Sequence, residues 1–192
     1  MARCLSLVLF PLPLPPCLLL LIFSAGCGEA SPGQAASAPL RFDACAPLAI
    51  ALDPSATENQ TRGARAALDL WNGAARTELS LDAMGAAAAP SVPMIPLRFQ
   101  RAAAPSHGFY DPSAGVIYVN EDLSAPTLAG ALAVTIAHEV GHAFGLPHVG
   151  DRPSVMTAGN LDVEPNAGDV EALAAIWGRC GAVAEGQQSQ PR

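Results

Sequence analysis

Three histidines and a glutamate fall within the eleven-residue string HEVGHAFGLPH, which runs from His138 to His148. Positions four apart lie one above the other on the same face of a helix, so a helix here brings the imidazoles of His138 and His142 together. Gly145 can adopt the left-handed conformation that ends a helix, and the turn after it can return His148 to the other two rings. The string therefore predicts a helix that ends abruptly near Gly145, followed by a bend in the chain that brings His148 back.

Three converging imidazoles leave the fourth position of a tetrahedral zinc ion open, which is typical of a catalytic and not of a structural zinc site. Glu139 adjoins the first ligand and is placed to act as a general base on a zinc-activated water. A string of this kind is expected by chance on the order of 1 in 10⁵. The alternatives are ordinary histidines on a core helix and a zinc site that is only structural. We predict one catalytic Zn²⁺ ion held by His138, His142 and His148.

The string resembles the signature of the metzincin zinc metallopeptidases, in which a methionine turn lies beneath the metal. Met156 fits that turn, because it follows His148 by eight residues, which is the spacing of the matrixin branch. Residues 169–178 are similar to the matrixin C-terminal helix, and the resemblance spans about residues 45–180. Val149 stands where matrixins usually have serine. The resemblance to the matrixin branch is therefore weaker than the resemblance to the metzincins as a whole.

This resemblance implies an α+β fold, namely a single zincin-like domain with a twisted, mostly parallel sheet, an active-site helix and a C-terminal helix. It implies a zinc-dependent endopeptidase that acts on a protein or peptide substrate. An extended substrate would pair by β-addition with the strand Val116, Ile117, Tyr118, Val119 and Asn120, which could equally be only a sheet strand. Residues 153–161 would wall the pocket beyond the scissile bond. The alternatives are a lipid-anchored zinc protein that binds without turnover and a hydrolase restricted to cell-wall peptides.

The second, structural zinc of that family needs further histidines, and His107 is the one histidine outside the string. We therefore predict no second zinc, and expect His107 in a loop, with substrate contact as the alternative. Family calcium sites would fall near Asp111, Glu121 or Asp122, but each acid is more typical of a solvated turn and no clear Ca²⁺ motif is present. Ala158 stands where astacin-like members carry a tyrosine ligand, which excludes that branch.

Hydrophobic spacing predicts the elements around the string. Residues 48–52 and 95–99 alternate as strands do, and Pro96 is expected to put the second of them at an edge or bulge. The β-branched run at residues 116–119 follows a turn signal and predicts a third strand. Helical spacing predicts three helices, one through residues 64–71, one from about residue 126 to 144 capped by Ser124 or Thr127, and one through residues 170–177 that begins at Asp169.

The N-terminus is typical of an exported protein. Arg3 precedes an apolar run that ends in small residues, and four prolines interrupt the run, which disfavours a permanent membrane span. Ser24-Ala25-Gly26-Cys27 resembles the lipobox of bacterial lipoproteins, in which the cysteine is lipidated. The sequence thus predicts a signal peptide at 1–26, lipidated Cys27 with a flexible tether at 27–44, a catalytic domain at 45–181 and a disordered tail at 182–192. We expect a bacterial cell-envelope lipoprotein held to the membrane by its lipid anchor; a soluble secreted protein is the alternative.

Cys45 and Cys180 are the two cysteines of the predicted domain, one near each end. In an oxidising compartment they are expected to pair as a disulfide. The alternatives are two buried free thiols and a role for Cys45 as an inhibitory zinc ligand.

The formal net charge of −7 becomes −8 once Arg3 leaves with the signal, which argues against a nucleic-acid partner. The length allows one ordinary domain, and we expect a monomer.

Overall fold

The computed structural model describes residues 42–84, 92–101 and 107–181. The predicted signal peptide, Cys27, the tether up to residue 41 and the predicted tail lie outside these residues. The elements follow in the order β1 (Leu48–Leu52), α1 (Glu58–Ala75), β2 (Leu79–Ala83), β3 (Met94–Gln100), β4 (Gly108–Asp111), β5 (Val116–Asn120), α2 (Ala129–Ala143) and α3 (Ala167–Trp177). Two short 3-10 turns, Glu121–Ser124 and Pro126–Leu128, connect β5 to α2.

The five strands form one sheet in the order β2-β1-β3-β5-β4. Strands β1, β2, β3 and β5 run parallel, whereas β4 runs antiparallel to β5 and forms one edge. Parallel neighbours need long crossover connections, and α1 supplies the one between β1 and β2. The predicted α+β class with a mostly parallel sheet is confirmed, and the architecture is compatible with a zincin-like fold.

Two predictions about the sheet are wrong. Pro96 was expected at an edge or bulge, but it lies in the central strand β3, opposite Ala51 of β1. The proline is accommodated because pairing of β3 with β5 begins only at the next residue, Leu97, so the missing N–H falls where that ladder starts. The strand Val116–Asn120 was expected to add an extended substrate, but β3 and β4 already flank it on both sides. Among the described strands, β2 and β4 form the two edges of the sheet, and β4 is the edge strand next to Glu139.

The core lies between one face of the sheet and the helices. Trp71 of α1 is fully buried, donates its indole N–H to the Ala137 carbonyl of α2 at 2.8 Å, and meets Phe144 edge-to-face at 6.0 Å. The two helices approach closely at Gly63, where an added Cβ would lie 2.6 Å from Leu132. This packing holds α2 against the sheet, with its histidine-bearing end beside β4. The other large, fully buried side chains include Ile50, Ile95, Leu97, Ile117, Ile136, Val140, Met156 and Leu173.

The helix starts differ in how they are capped. Thr57 and Gln60 form a capping box at α1, as Asn166 and Asp169 do at α3. No side chain caps α2, so the expectation for Ser124 or Thr127 is wrong. The preceding 3-10 turn leads directly into α2, and the Ser124 hydroxyl instead accepts a hydrogen bond from Gln60 at 3.1 Å. Within the described ranges, no helix is both long and apolar enough to cross a membrane.

Candidate metal centre

The end of α2 and the bend after it bring the three histidines together. His138 and His142 lie one helical turn apart, and α2 stops at Gly145, whose φ of 95° is left-handed. The Leu146 N–H closes the turn on the Gly141 carbonyl at 2.9 Å, and the chain then returns with His148. The sequence predicts this turn correctly, because glycine adopts a left-handed conformation without steric cost.

The Nε2 atoms of His138, His142 and His148 form a triangle in which each pair is 3.1 Å apart. A tetrahedral zinc ion with Zn–N bonds of about 2.0–2.1 Å needs ligand atoms roughly 3.3–3.4 Å apart. The triangle therefore fits three vertices of a zinc tetrahedron and leaves the fourth open. Within the described part of the chain, this is the one cluster of three histidine, cysteine or carboxylate side chains close enough to share an ion.

Backbone carbonyls fix two of the rings in the form that binds metal. His138 donates from Nδ1 to the Val155 carbonyl at 2.6 Å, and His142 donates from Nδ1 to the Leu146 carbonyl at 2.8 Å. Because a carbonyl can only accept, both Nδ1 atoms carry the proton and both Nε2 atoms present lone pairs. Lone pairs that converge at 3.1 Å repel one another unless a cation lies between them.

Burial keeps these rings neutral. It lowers the pKa of His138, and a hydrogen bond to Val155 only partly opposes the shift. Burial likewise lowers the pKa of His142 to about 4, against the hydrogen bond to Leu146. A neutral imidazole is the form that coordinates a metal, so at neutral pH neither ring has to lose a proton first.

Glu139 lies on α2 beside the first ligand and is 4% exposed. Burial raises the pKa of its carboxyl from 4.5 to about 7, while a hydrogen bond from the Tyr110 backbone N–H acts in the opposite direction. The Oε2 atom is buried and has no hydrogen-bond partner among the described residues. Gly108 of β4 packs against the same side chain, since an added Cβ would lie 3.2 Å from Cγ of Glu139. This carboxyl is thus set to exchange a proton near neutral pH.

The free edge of β4 borders Glu139. Asn120 of β5 donates to the His107 carbonyl at 2.8 Å, and the alternation of an antiparallel pair then turns the backbone groups of Gly108 and Tyr110 away from β5. The sequence pattern does not predict β4, because four residues that include a glycine carry little periodicity. His107 immediately precedes this strand, is half-buried and is not part of the histidine cluster.

Met156 lies in a turn after the third histidine and is 1% exposed. Its carbonyl accepts from the Val149 N–H at 3.0 Å, which ties this turn to the residue after His148. Gly141 of α2 faces it, and a Cβ there would collide with the Met156 sulfur. The glycine within the histidine string is therefore a packing requirement of the methionine.

Asp169 is the site residue whose role the sequence pattern misses. The pattern predicts an acid at the start of a helix, but the side chain is buried and its Oδ2 accepts hydrogen bonds from the backbone N–H groups of Val155 and Asn166, both at 3.1 Å. Its Oδ1 accepts from Arg152 at 3.2 Å and from the Ser154 hydroxyl. The carboxylate thus holds the turn that contains Met156. The capping-box spacing from Asn166 to Asp169 is the signal that could have indicated this residue.

The remaining candidate residues lie away from the triangle. Cys45 and Cys180 form a disulfide across 135 residues, so Cys45 is not a zinc ligand. Among the acids considered for calcium, Asp111 accepts hydrogen bonds from Ser113 in its turn, and Glu121 pairs with Arg101 at 2.6 Å. Asp122 is exposed.

No protein-family model matches this chain, and no curated protein sequence matches it. Among solved structures, it is similar to a zinc-dependent peptidase from Methanocorpusculum labreanum (strain Z), at 12% sequence identity and a TM-score of 0.39. That alignment covers 65% of this chain and 92% of the other. A likeness with a TM-score this low carries no argument about function, which is inferred below from the site alone.

Proposed function

We propose that this chain is a zinc-dependent endopeptidase of the metzincin type, matrixin-like in the spacing of Met156, that hydrolyses peptide bonds. The observation that carries the proposal is the triangle of three Nε2 atoms, each pair 3.1 Å apart, beside a buried carboxyl. His138, His142 and His148 would hold one Zn²⁺ ion. When bound, that ion lowers the pKa of a water molecule and polarises the peptide carbonyl.

Glu139 moves the proton in this reaction. Its carboxylate accepts a proton from the attacking water and then delivers it to the nitrogen of the leaving amine. Burial raises the pKa of this carboxyl in the metal-free chain, and the position of Glu139 next to His138 on α2 is what places it to act in both steps. The Oε2 atom, which has no partner among the described residues, is the oxygen available to take the proton.

The substrate would lie along β4 and not along β5. An extended peptide adds to an edge strand of a sheet, and the backbone groups of Gly108 face outward at the β4 edge. Residues 153–161, which include the turn at Met156, would form a wall of the pocket beyond the scissile bond.

We also propose export and attachment to the bacterial envelope through a lipid on Cys27, with free secretion as the alternative. The mass of the mature protein from wild-type cells and from Cys27→Ser cells distinguishes these two.

The decisive experiment combines metal analysis with cleavage of an unbiased peptide library by the purified domain. The wild type is expected to hold one zinc per chain and to cleave peptides. Glu139→Gln should keep the zinc and lose turnover by several orders of magnitude, whereas His148→Ala should lose both. Glu171→Gln, an exposed acid on α3, and His107→Ala are the matched controls and should retain zinc.

Two results would contradict the proposal. Purified protein without stoichiometric metal would remove the site, and a wild type that holds zinc but cleaves no peptide would support the alternative of a zinc-containing binding protein. A hydrolase restricted to cell-wall peptides would cleave peptidoglycan fragments and leave proteins intact. Mass spectrometry of the products from both substrates separates that alternative from a general endopeptidase.

A further inference from the structure

A second concave site lies between the last turn of α1 and the end of α3. It has a volume of about 320 Å³ and shares no lining residue with the metal centre. Ala75 of α1 and Val170, Leu173 and Ala174 of α3 give it an apolar lining. A volume near 300 Å³ is at the lower end of the range for small-molecule sites, so it admits a small organic group.

Arg76 and Arg179 also line this site, which we call the two-arginine groove. Both residues are exposed, and neither side chain makes an ion pair or hydrogen bond within the described ranges. No acidic residue is among those that line the groove. Two unpaired guanidinium groups beside an apolar wall stand out in a chain with a formal net charge of −7.

The backbone holds one of these arginines in an unfavourable conformation. Arg76 follows α1 with φ 56° and ψ 37°, and among the described residues it is the one non-glycine with positive φ. Glycine would end the helix here without strain, whereas a residue with a Cβ costs about 1 kcal/mol. The chain instead keeps an arginine that lines the groove, and strained residues of this kind cluster at functional sites.

The opposite wall is fixed covalently. Cys180 lines the groove and is joined to Cys45 by the disulfide, and Gly181 lies beside it. A Cβ on Gly181 would lie 3.7 Å from Cδ of Arg76, so the aliphatic part of that arginine passes close to this wall. The disulfide therefore fixes the backbone on this side of the groove before any ligand enters, which lowers the entropic cost of binding.

We propose that the two-arginine groove binds an organic carboxylate with a small apolar body, such as a branched aliphatic acid or the C-terminal residue of a peptide. Guanidinium groups recognise carboxylates through paired N–H donors, and the alanine and leucine side chains accept an aliphatic group. A ligand needs both the carboxylate and the apolar group. A small carboxylate without an apolar group would remain better hydrated in water, and an apolar group without a carboxylate would make no ion pair with the arginines.

Titration of the mature protein followed by NMR tests this with three probes: N-acetyl-leucine, its amide and acetate. We expect saturable shifts near α1 and α3 with N-acetyl-leucine, and binding at least tenfold weaker with the amide and with acetate. Arg76→Gly and Arg179→Gln should each weaken N-acetyl-leucine binding at least tenfold. Arg65→Gln, an exposed arginine of α1 outside the groove, should bind as the wild type does.

Arg76→Gly also controls for folding, because glycine is favoured at this backbone position and should keep or raise the unfolding midpoint. Glu139→Gln should bind N-acetyl-leucine with wild-type affinity, so the test of the two-arginine groove does not depend on peptidase activity. A peptide with a free C-terminal leucine that binds tighter than N-acetyl-leucine assigns the groove to peptide ends, and equal binding assigns it to small acids. Equal binding of acid and amide, or wild-type affinity in both arginine variants, would overturn the proposal and leave the arginines as helix-end charges.

Discussion

Asp169 and His138 are joined through the backbone of one residue, Val155. The Val155 N–H donates to Oδ2 of Asp169 at 3.1 Å, and the Val155 carbonyl accepts from Nδ1 of His138 at 2.6 Å. A carboxylate on α3 thereby fixes the turn whose carbonyl sets the ring orientation and tautomer of His138, a candidate metal ligand on α2. Hydrogen bonds of this kind orient the ligand rings and tune metal affinity.

Replacing Asp169 with Asn should weaken zinc binding without removing a ligand. The turn loses a charged acceptor, so we expect zinc affinity to fall by roughly 10- to 100-fold. The free energy of unfolding should fall by about 2–4 kcal/mol, because Arg152 loses its charged partner and an amide has one acceptor oxygen for donors that now share two. Competition with a chromophoric chelator and urea unfolding measure the two effects. Glu171→Gln, on the exposed side of the same helix, is the control; unchanged zinc affinity in Asp169→Asn would refute the coupling.

The buried carboxyl of Glu139 should make the metal-free protein less stable as the pH rises. Its pKa is about 7 in the folded chain and 4.5 ordinarily, so the folded form holds the proton more tightly between these values. The stability from this neutral carboxyl is fully present below pH 4.5 and is lost as the pH rises through 7. The loss relative to Glu139→Gln amounts to at most about 3 kcal/mol.

Urea unfolding of chelator-treated wild type and Glu139→Gln at pH 5 and pH 8 measures this loss. Both proteins carry His138 and His142 with the same lowered pKa, so the contribution of these rings cancels in the difference between the two. The gap in unfolding free energy should widen toward pH 8 in favour of the variant. A gap that stays constant between the two pH values would mean that burial does not raise the pKa of Glu139.

The sequence predicts the convergence of the three histidines because the pattern is local. His138 and His142 are one helical turn apart, and Gly145 determines where the helix ends, so the triangle needs no knowledge of distant residues. The same holds for α1, whose apolar spacing indicates which of its faces is buried, whereas both faces of β1 are buried. Cys45 and Cys180 could be paired because the predicted domain has no other cysteines.

The remaining features depend on which strands become neighbours. Pro96 is tolerated in a central strand only because the β5 ladder begins one residue later, and no local pattern encodes that register. The position of β4 at the sheet edge beside β5 depends on strand pairing in the same way, since the chain folds back antiparallel after this strand of four residues. Asp169 becomes a buried acceptor only when α3 packs beneath the methionine turn, which is a tertiary contact.

Gly141→Ala should disturb the packing of α2 against Met156. The added methyl group would collide with the Met156 sulfur, and overpacking of a buried site typically costs about 1–3 kcal/mol. Zinc affinity should fall as well, because the helix carrying His138 and His142 has to shift. Gly130→Ala is a matched control on the same helix, where a Cβ meets no atom within 4 Å. That variant should be stabilised by about 0.4–1 kcal/mol. Thermal unfolding of both variants decides the matter, and equal midpoints would contradict the packing argument.

The disulfide between Cys45 and Cys180 should stabilise the fold without affecting the metal. It closes a loop across 135 residues, and cross-links of that span are worth at most about 4–5 kcal/mol in the chain-entropy model. The double variant Cys45→Ala/Cys180→Ala should therefore unfold at clearly lower urea concentration while it still binds one zinc. A reductant should bring the wild type to the midpoint of the double variant and leave the double variant unchanged. A wild-type midpoint that does not respond to reduction would show that this bond contributes nothing to stability, and loss of zinc in the double variant would show that the ends of the chain position the histidines.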